Sequence, residues 1–305
     1  MGKKVLFVSP LPEKSNPAID HIIFGLQDGC TDSLLDLHVV FDDFRKRKPS
    51  NSLPVLIDAA IAASYDAVVF YVVDPDAGGD ATTRARLAGI SVFSIARPNF
   101  SVNASLNYPG FNQGVFMMTF LTSLLPPGSQ IGIIGGPNAV TDSEEVAGLV
   151  FAAKRSKCQL VNDPFDQRYS NLTDNAQGAE GPARRLLEEF PKIAGLAPYN
   201  DESMLGAMKS IAELGFGPMK MVSRNGSPAA VRAIREGKTS ATWDLDPPGV
   251  GNALALLIAS HLSGAEKFDD YAAMAPAGRL ITSRNLDSWQ PWEQRVRQTT
   301  LEIGI

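Results

Sequence analysis

The chain has 305 residues, 44% of them hydrophobic and 20% charged, with a net charge of −5. That is an ordinary globular composition, able to bury a sizeable core and long enough for about two domains. It lacks the basic balance of most nucleic-acid binders, and no apolar run approaches the ~18 residues of a membrane span, so neither nucleic acid nor membrane insertion is expected.

Strand and helix patterns alternate along the chain. Val5–Ser9 reads as a buried strand. Asn16-Pro17 opens a helix whose Ile19, Ile22, Ile23 and Leu26 share one face. Leu37–Phe41 is a second strand and Val55–Ser64 a helix. Ala67–Val73 is a near-continuous apolar run, the mark of a parallel strand covered on both faces. A helix at Ala81–Ala88 and a strand at Val92–Ile95 follow. The second half predicts helices at Asn112–Leu125, Asp142–Lys154, Ala179–Phe190, Asn200–Gly215, Ala229–Glu236 and Gly249–Ser263. Strands fall between them at Gln130–Gly135, Cys158–Asn162, Gly195–Ala197, Lys220–Ser223 and Ala241–Leu245. An irregular tail holds Leu280-Ile-Thr282. Repeated βα units of this kind predict an α/β fold with doubly wound parallel sheets.

Catalytic constellations are not evident. There is no Gly-x-Ser-x-Gly elbow, no P-loop and no Gly-x-Gly-x-x-Gly after the first strand. Gly132-Ile-Ile-Gly-Gly-Pro137 reads as a strand entering a turn. Asp42-Asp43, Glu144-Glu145 and Asp269-Asp270 are sequence neighbours that point apart. The histidines (His21, His38 and His261) and cysteines (Cys30 and Cys158) lack ligand-like spacing, so no metal is expected. The cysteines read as small unpaired hydrophobes in different lobes. The basic run Arg45-Lys46-Arg47-Lys48 reads as a solvated loop.

Two blocks carry a family resemblance. In Leu196-Ala-Pro-Tyr-Asn-Asp, a short apolar strand meets Asn200-Asp201, and an amphipathic helix opens at once and stops at Gly215. In Met221-Val-Ser-Arg-Asn-Gly-Ser-Pro, a strand enters a turn and a helix, followed by Gly-Lys and an Ala-Thr strand. Their order and spacing resemble the sugar-binding type I periplasmic binding proteins, whose fold also serves the effector domains of LacI-type repressors. The resemblance runs from Lys4 to about Asn285. It implies two doubly wound parallel-sheet lobes joined by a three-crossing hinge near Asn99–Asn107, Trp243–Pro247 and Ala277–Thr282. The lobes would comprise residues 1–103 with 247–278, and 104–246 with 279–305.

The same resemblance implies a binding protein and not an enzyme. No cofactor is expected. The partners would be a small polar solute (a sugar, polyol or modified sugar) and an ABC permease, or alternatively a sensor kinase or chemoreceptor. The protein would be a periplasmic monomer. The start, Met-Gly-Lys-Lys-Val-Leu-Phe-Val, enters a strand without the features of a signal peptide. A repressor would need a helix-turn-helix ahead of that strand.

Carried over residue by residue, the family's solute-binding positions fall on Ser9, Asn16, Arg97, Phe165, Asn200 and Asn225, with Asp244 or Asp246 at the crossing; Glu145 stands at a further ligand-facing position, and Tyr108 and Trp243, with Phe24, Phe100 and Tyr169, are the aromatics available for the pocket wall. Several are open to structural roles. Asn200 is also placed to cap its helix, and Asp201 to cap or brace. Arg97 suits a surface salt bridge, Phe165 the lobe core, Glu145 a solvated helix face, and Tyr108 and Trp243 hinge packing. The chain departs from the family pattern at several positions: Ala18 and Ile19 stand where an aromatic pair is often found, Ala96 and Asn225 where acids are usual, and Glu145 where an arginine often clamps the ligand. A plain pyranose bound in the usual way is then less expected than a smaller polyol, a furanose, a modified sugar or a ligand with a cationic group facing Glu145.

Overall fold

The computed structural model describes residues 2–137 and 139–296. In chain order the elements are β1 (Lys3–Ser9), α1 (Pro17–Asp32), β2 (Leu35–Phe41), α2 (Pro49–Ala62), β3 (Ala67–Tyr71), α3 (Gly79–Leu87), β4 (Ser91–Ile95), β5 (Ala104–Asn107), α4 (Gly110–Ser123), β6 (Gln130–Ile134), α5 (Val140–Ala153), β7 (Gln159–Leu160), α6 (Ala176–Glu189), β8 (Ile193–Pro198), α7 (Asp201–Glu213), β9 (Lys220–Asn225), α8 (Pro228–Arg235), β10 (Ala241–Asp244), α9 (Pro247–Ser263), β11 (Tyr271–Met274) and β12 (Arg279–Thr282).

The chain divides into two compact units. One holds the chain up to Tyr108, Pro247–Pro276 and the segment starting at Trp292; the other holds Pro109–Asp246 and Ala277–Pro291. Each carries a six-stranded sheet, ordered β11-β5-β4-β3-β1-β2 in the first and β12-β10-β9-β8-β6-β7 in the second. All pairings are parallel except that of β10 with β12. Helices pair on the sheet faces, α1 with α9 and α2 with α3 in the first unit, α4 with α5 and α6 with α7 in the second.

The first unit's helix pair is set by backbone approach. A Cβ at Gly25 would lie 2.0 Å from the carbonyl oxygen of Pro248, and one at Gly251 would lie 2.1 Å from that of Ile22. Alanine at Gly25 is therefore expected to push α9 away, at a cost of about 1–3 kcal/mol or more. Calorimetric unfolding of Gly25→Ala checks this, and an unchanged Tm would contradict it.

The expected lobe boundaries shift at two places. Residues 104–107, read as part of a crossing, form β5 and pair with β4, so they belong to the first sheet. Four residues are too few to show a period. Trp292, placed by the sequence reading with the second lobe, is fully buried and packs 5.1 Å from the His21 ring in the first unit. The chain therefore passes between units at a fourth point, Pro291/Trp292, besides those at Tyr108/Pro109, Asp246/Pro247 and Pro276/Ala277. Residues 297–305 of the expected second lobe lie outside the described residues. The tail also contains two strands, β11 and β12, where the sequence suggested irregular chain. Helix α2 starts earlier than expected, at Pro49, and carries Pro54 inside.

Cys30 falls in the first unit and Cys158 in the second, both as thiols. Burial pushes the Cys30 thiol up to about 12, whereas Cys158 is half-buried. A thiol reagent at about pH 8 is expected to label Cys158 first and Cys30 only on unfolding. Equal labelling rates in the folded protein would contradict this.

Candidate functional site

In open α/β sheets, ligands meet the carboxyl edge of the strands. In the second unit that edge is densely polar. Asn200 follows β8 and caps α7, its Oδ1 accepting from Ser203 N at 2.9 Å. Its Nδ2 donates to Asp174 Oδ1 at 2.6 Å, and the Tyr199 hydroxyl donates to the same oxygen. Asp201, fully buried, accepts from Ser223 Oγ at 2.5 Å, Ser227 N at 2.6 Å and Thr242 Oγ1 at 2.7 Å. It thereby ties α7 to β9, the start of α8 and β10. At the end of β9, Asn225 takes a φ of 126° and donates Nδ2 to Glu202 Oε2 at 3.1 Å. Gly226 follows at a φ of 76°, and a Cβ there would lie 2.4 Å from Asp244 Cα. Only glycine fits such a turn.

Arg224 precedes Asn225 and turns to α5. Its Nη2 donates to Asp142 Oδ1 at 2.7 Å and its Nε stands 2.6 Å from Glu145 Oε2. All three residues are buried. The sequence reading of Glu145 as a solvated position is corrected by this. Glu145 is spaced with the buried Leu149 and Ala152, so it faces inward, and the cation facing it is the protein's own Arg224.

Desolvation dominates the electrostatics. Glu145 and Glu202 are each pushed up to about 8, Asp174 to about 7 and Asp201 to about 6. Asp142 is raised and the Tyr199 hydroxyl is raised well above its usual value, again chiefly by burial. Arg224 opposes the rise at Asp142 and Glu145, and hydrogen-bond donors oppose it at Asp201. Carboxyls held between their ionised and neutral forms near neutrality respond strongly to any charged group brought beside them.

The other expected residues have these places. Trp243 stacks on Phe116, with centroids 6.1 Å apart. Asp246 has a φ of 52°, and its N–H donates to Asp244 Oδ1 at 2.9 Å. Phe165 is 52% exposed, which removes the core alternative. In the first unit, Ser9 ends β1 and is buried, its Oγ donating to Leu11 O at 2.8 Å. Asn16 caps α1, accepting from Ala18 N at 3.0 Å and Ile19 N at 3.4 Å. Tyr108 is buried at the end of the first segment. Arg97 follows β4 and pairs on the surface with Asp270 at 2.7 Å.

Sequence reasoning passed over Asp142, Asp174, Tyr199, Glu202 and Arg224. The Arg224–Glu145 pair left a signal. An arginine within Met221-Val-Ser-Arg-Asn breaks a strand pattern, and an acid occupies an apolar helix position at Glu145. Opposite charges at two core positions point to a buried pair. Asn200 also has a larger structural role than a simple ligand contact. Asn200→Ala is expected to cost about 0.5–2 kcal/mol through the lost cap, plus the lost bond to Asp174. Chemical denaturation checks this, and wild-type stability would contradict it.

The sequence profile described as "Periplasmic binding protein domain" matches residues 26–266. Comparison with curated protein sequences matches nothing. Solved structures share the fold at low identity. The periplasmic component of the arabinose ABC transporter from Shewanella sp. ANA-3, bound to α- and β-L-arabinofuranose, has a TM-score of 0.82 at 17% identity, covering 96% of this chain and 95% of its own. The Caulobacter myo-inositol binding protein has 0.81 at 16% identity, covering 93% and 95%. A chain of the XylFII-LytSN complex has 0.78 at 18% identity, covering 93% and 99%.

Proposed function

The chain belongs to the periplasmic binding protein domain family, matched over residues 26–266, and we propose that it binds a small sugar-like solute in the periplasm and delivers it to an ABC permease. It performs no chemistry on the solute. The observation that carries this reading is the carboxyl edge of the second sheet. There Asn225, Glu202, Asn200 and Asp174 are linked in pairs of amide donor and carboxylate acceptor. Such pairs match vicinal hydroxyls, each of which donates one hydrogen bond and accepts another. Ser9, Asn16, Arg97, Tyr108, Phe165, Trp243 and Asp246 remain proposed contacts, and Glu145 acts through Arg224.

A thermal-shift screen of sugars and polyols tests the proposal. A solute at about a hundred times its dissociation constant adds about 2.7 kcal/mol. A panel of pentoses, hexoses, inositols and their amino forms that leaves Tm unmoved would contradict it.

The XylFII-LytSN likeness favours one alternative, in which the solute-bound form is presented to a membrane sensor. Deleting the gene separates the two. Loss of solute uptake marks delivery, while retained uptake with loss of the transcriptional response marks sensing. The protein is proposed to work as a monomer, with a light-scattering mass near 32.7 kDa.

A further inference from the structure

The opposite end of the second unit's sheet carries a cleft of different chemistry. Strands β9, β10 and β12 are in register through Val222, Ala241 and Thr282, with β12 running antiparallel. Outward from that row come Met221, Ser240 and Ser283, then Lys220, Thr239 and Arg284. The amino ends of β9 and β10 and the carboxyl end of β12 thus share one edge, away from Asn200 and Asn225. Neighbouring strands lie about 4.8 Å apart, so the backbones of Lys220 and Arg284 stand about 10 Å apart. Two long side chains converge on one group across such a distance.

These residues line a cavity of about 660 Å³, within the range of about 300–1,000 Å³ usual for small-molecule sites. Its charge is one-sided. Lys220 and Arg284 line it, and no aspartate or glutamate does. Both cations are exposed, and neither has an acidic partner among the described residues. By contrast, Arg168, Arg184, Lys209 and Lys238 of the same unit pair with Asp166, Glu213, Glu180 and Glu236. The hydroxyls divide in the same way. Ser123 donates to Phe120 O at 2.7 Å and Thr239 to Met221 O at 3.2 Å, whereas Ser240 and Ser283 have no side-chain hydrogen bond among the described residues. Four donors without an internal acceptor therefore meet at one cleft, two of them charged.

The remaining wall is apolar. Phe120 and Leu124 of α4, Met219 ahead of β9 and Ile234 of α8 contribute to it, and Leu124 is 39% exposed. A neutral ligand leaves the ammonium and guanidinium without counter-charge. A bare inorganic anion leaves the apolar wall in water. A molecule with an anionic head and an apolar body satisfies both, through charge-assisted hydrogen bonds at one end and burial at the other.

We propose that this cleft is a second binding site, for a small amphiphilic anion. Its carboxylate or phosphate is held by Lys220 and Arg284, and its apolar body lies against Phe120 and Leu124. The site stands at the opposite strand ends from the solute edge and does not rest on the solute-binding reading.

Matched probes test it. Saturation-transfer NMR and titration calorimetry compare 3-phenylpropionate and phenyl phosphate with neutral 3-phenylpropanol, cationic 3-phenylpropylamine and inorganic phosphate. At least one aromatic anion is expected to bind about tenfold or more tightly than the alcohol, the amine and inorganic phosphate. Raising salt from about 0.05 M to about 0.5 M should weaken the anion and leave the alcohol unchanged. The double variant Lys220→Gln/Arg284→Gln should lose the preference for the anion. Both side chains are exposed, so its Tm should match the wild type. Leu124→Asn should weaken the aromatic anion and leave inorganic phosphate unchanged.

Equal or tighter binding of the alcohol or the amine overturns the inference, as does inorganic phosphate matching the aromatic anions. Anion binding that survives in the double variant overturns the placement at Lys220 and Arg284. Anion binding indifferent to salt, or no binding by any probe, overturns the site outright. Solute binding at the carboxyl edge stands or falls separately.

Discussion

Arg224→Met is expected to lower the stability of the second unit by about 3–5 kcal/mol, the usual cost of removing one member of a buried ion pair. The guanidinium balances Asp142 and Glu145 from inside the core. Methionine fills similar volume but leaves both carboxyls without that counter-charge. Arg224→Lys should fall between, because one ammonium cannot reproduce the fork that reaches both acids. Two units need not unfold as one transition, so calorimetry is the suitable measurement. A change under about 0.5 kcal/mol, the range of ordinary surface substitutions, would show that the triad does not hold this unit together.

The second large effect is a dependence on pH whose sign is opposite to that of a salt-bridged acid. Glu202 is held at about 8 in the fold against a usual value of 4.5, first by burial and then by Asp201 and Asp174. Between those values the folded form keeps its proton while the unfolded form has lost it. The folded state then binds more protons, so stability falls as pH rises through that window. Glu145 acts in the same direction over a similar window, and Asp174 and Asp201 over narrower ones. Tm is therefore expected to decline from about pH 5 to about pH 9. Glu202→Gln should match the wild type near pH 4 and exceed it near pH 9 by about 2–4 kcal/mol, since each pH unit between the folded and unfolded titrations is worth about 1.4 kcal/mol. A Tm that rises with pH, or a variant that tracks the wild type throughout, would contradict the buried, uncompensated state of Glu202.

The fold was legible because its signals are local and repeated. Ala67–Val73 announced a covered parallel strand, and Asn16-Pro17 and Asn200 announced helix starts that the structure places at those caps. Elements with weak local signals were lost. Strands β5 and β11 have four residues each, and β11 gains its place by pairing with β5 across more than half of the chain. The site was legible in outline only. Asn200 and Asn225 stand at strand ends, which chain order reveals. The pairing of Arg224 with Glu145 and of Asn200 with Asp174 depends on how strands and helices pack, which no local pattern encodes. Arg97 shows the reverse case. The sequence places it well at the end of β4, and the structure engages it with Asp270 on the surface.

The central claim is that the carboxyl edge of the second sheet receives the solute. Asn225→Gly tests it most directly. Glycine accepts the φ of 126°, so the amide is removed without backbone strain. Titration calorimetry with the tightest solute from the screen should show affinity reduced about ten- to hundred-fold, the cost of a ligand group left unpaired. Wild-type affinity in Asn225→Gly would contradict the claim.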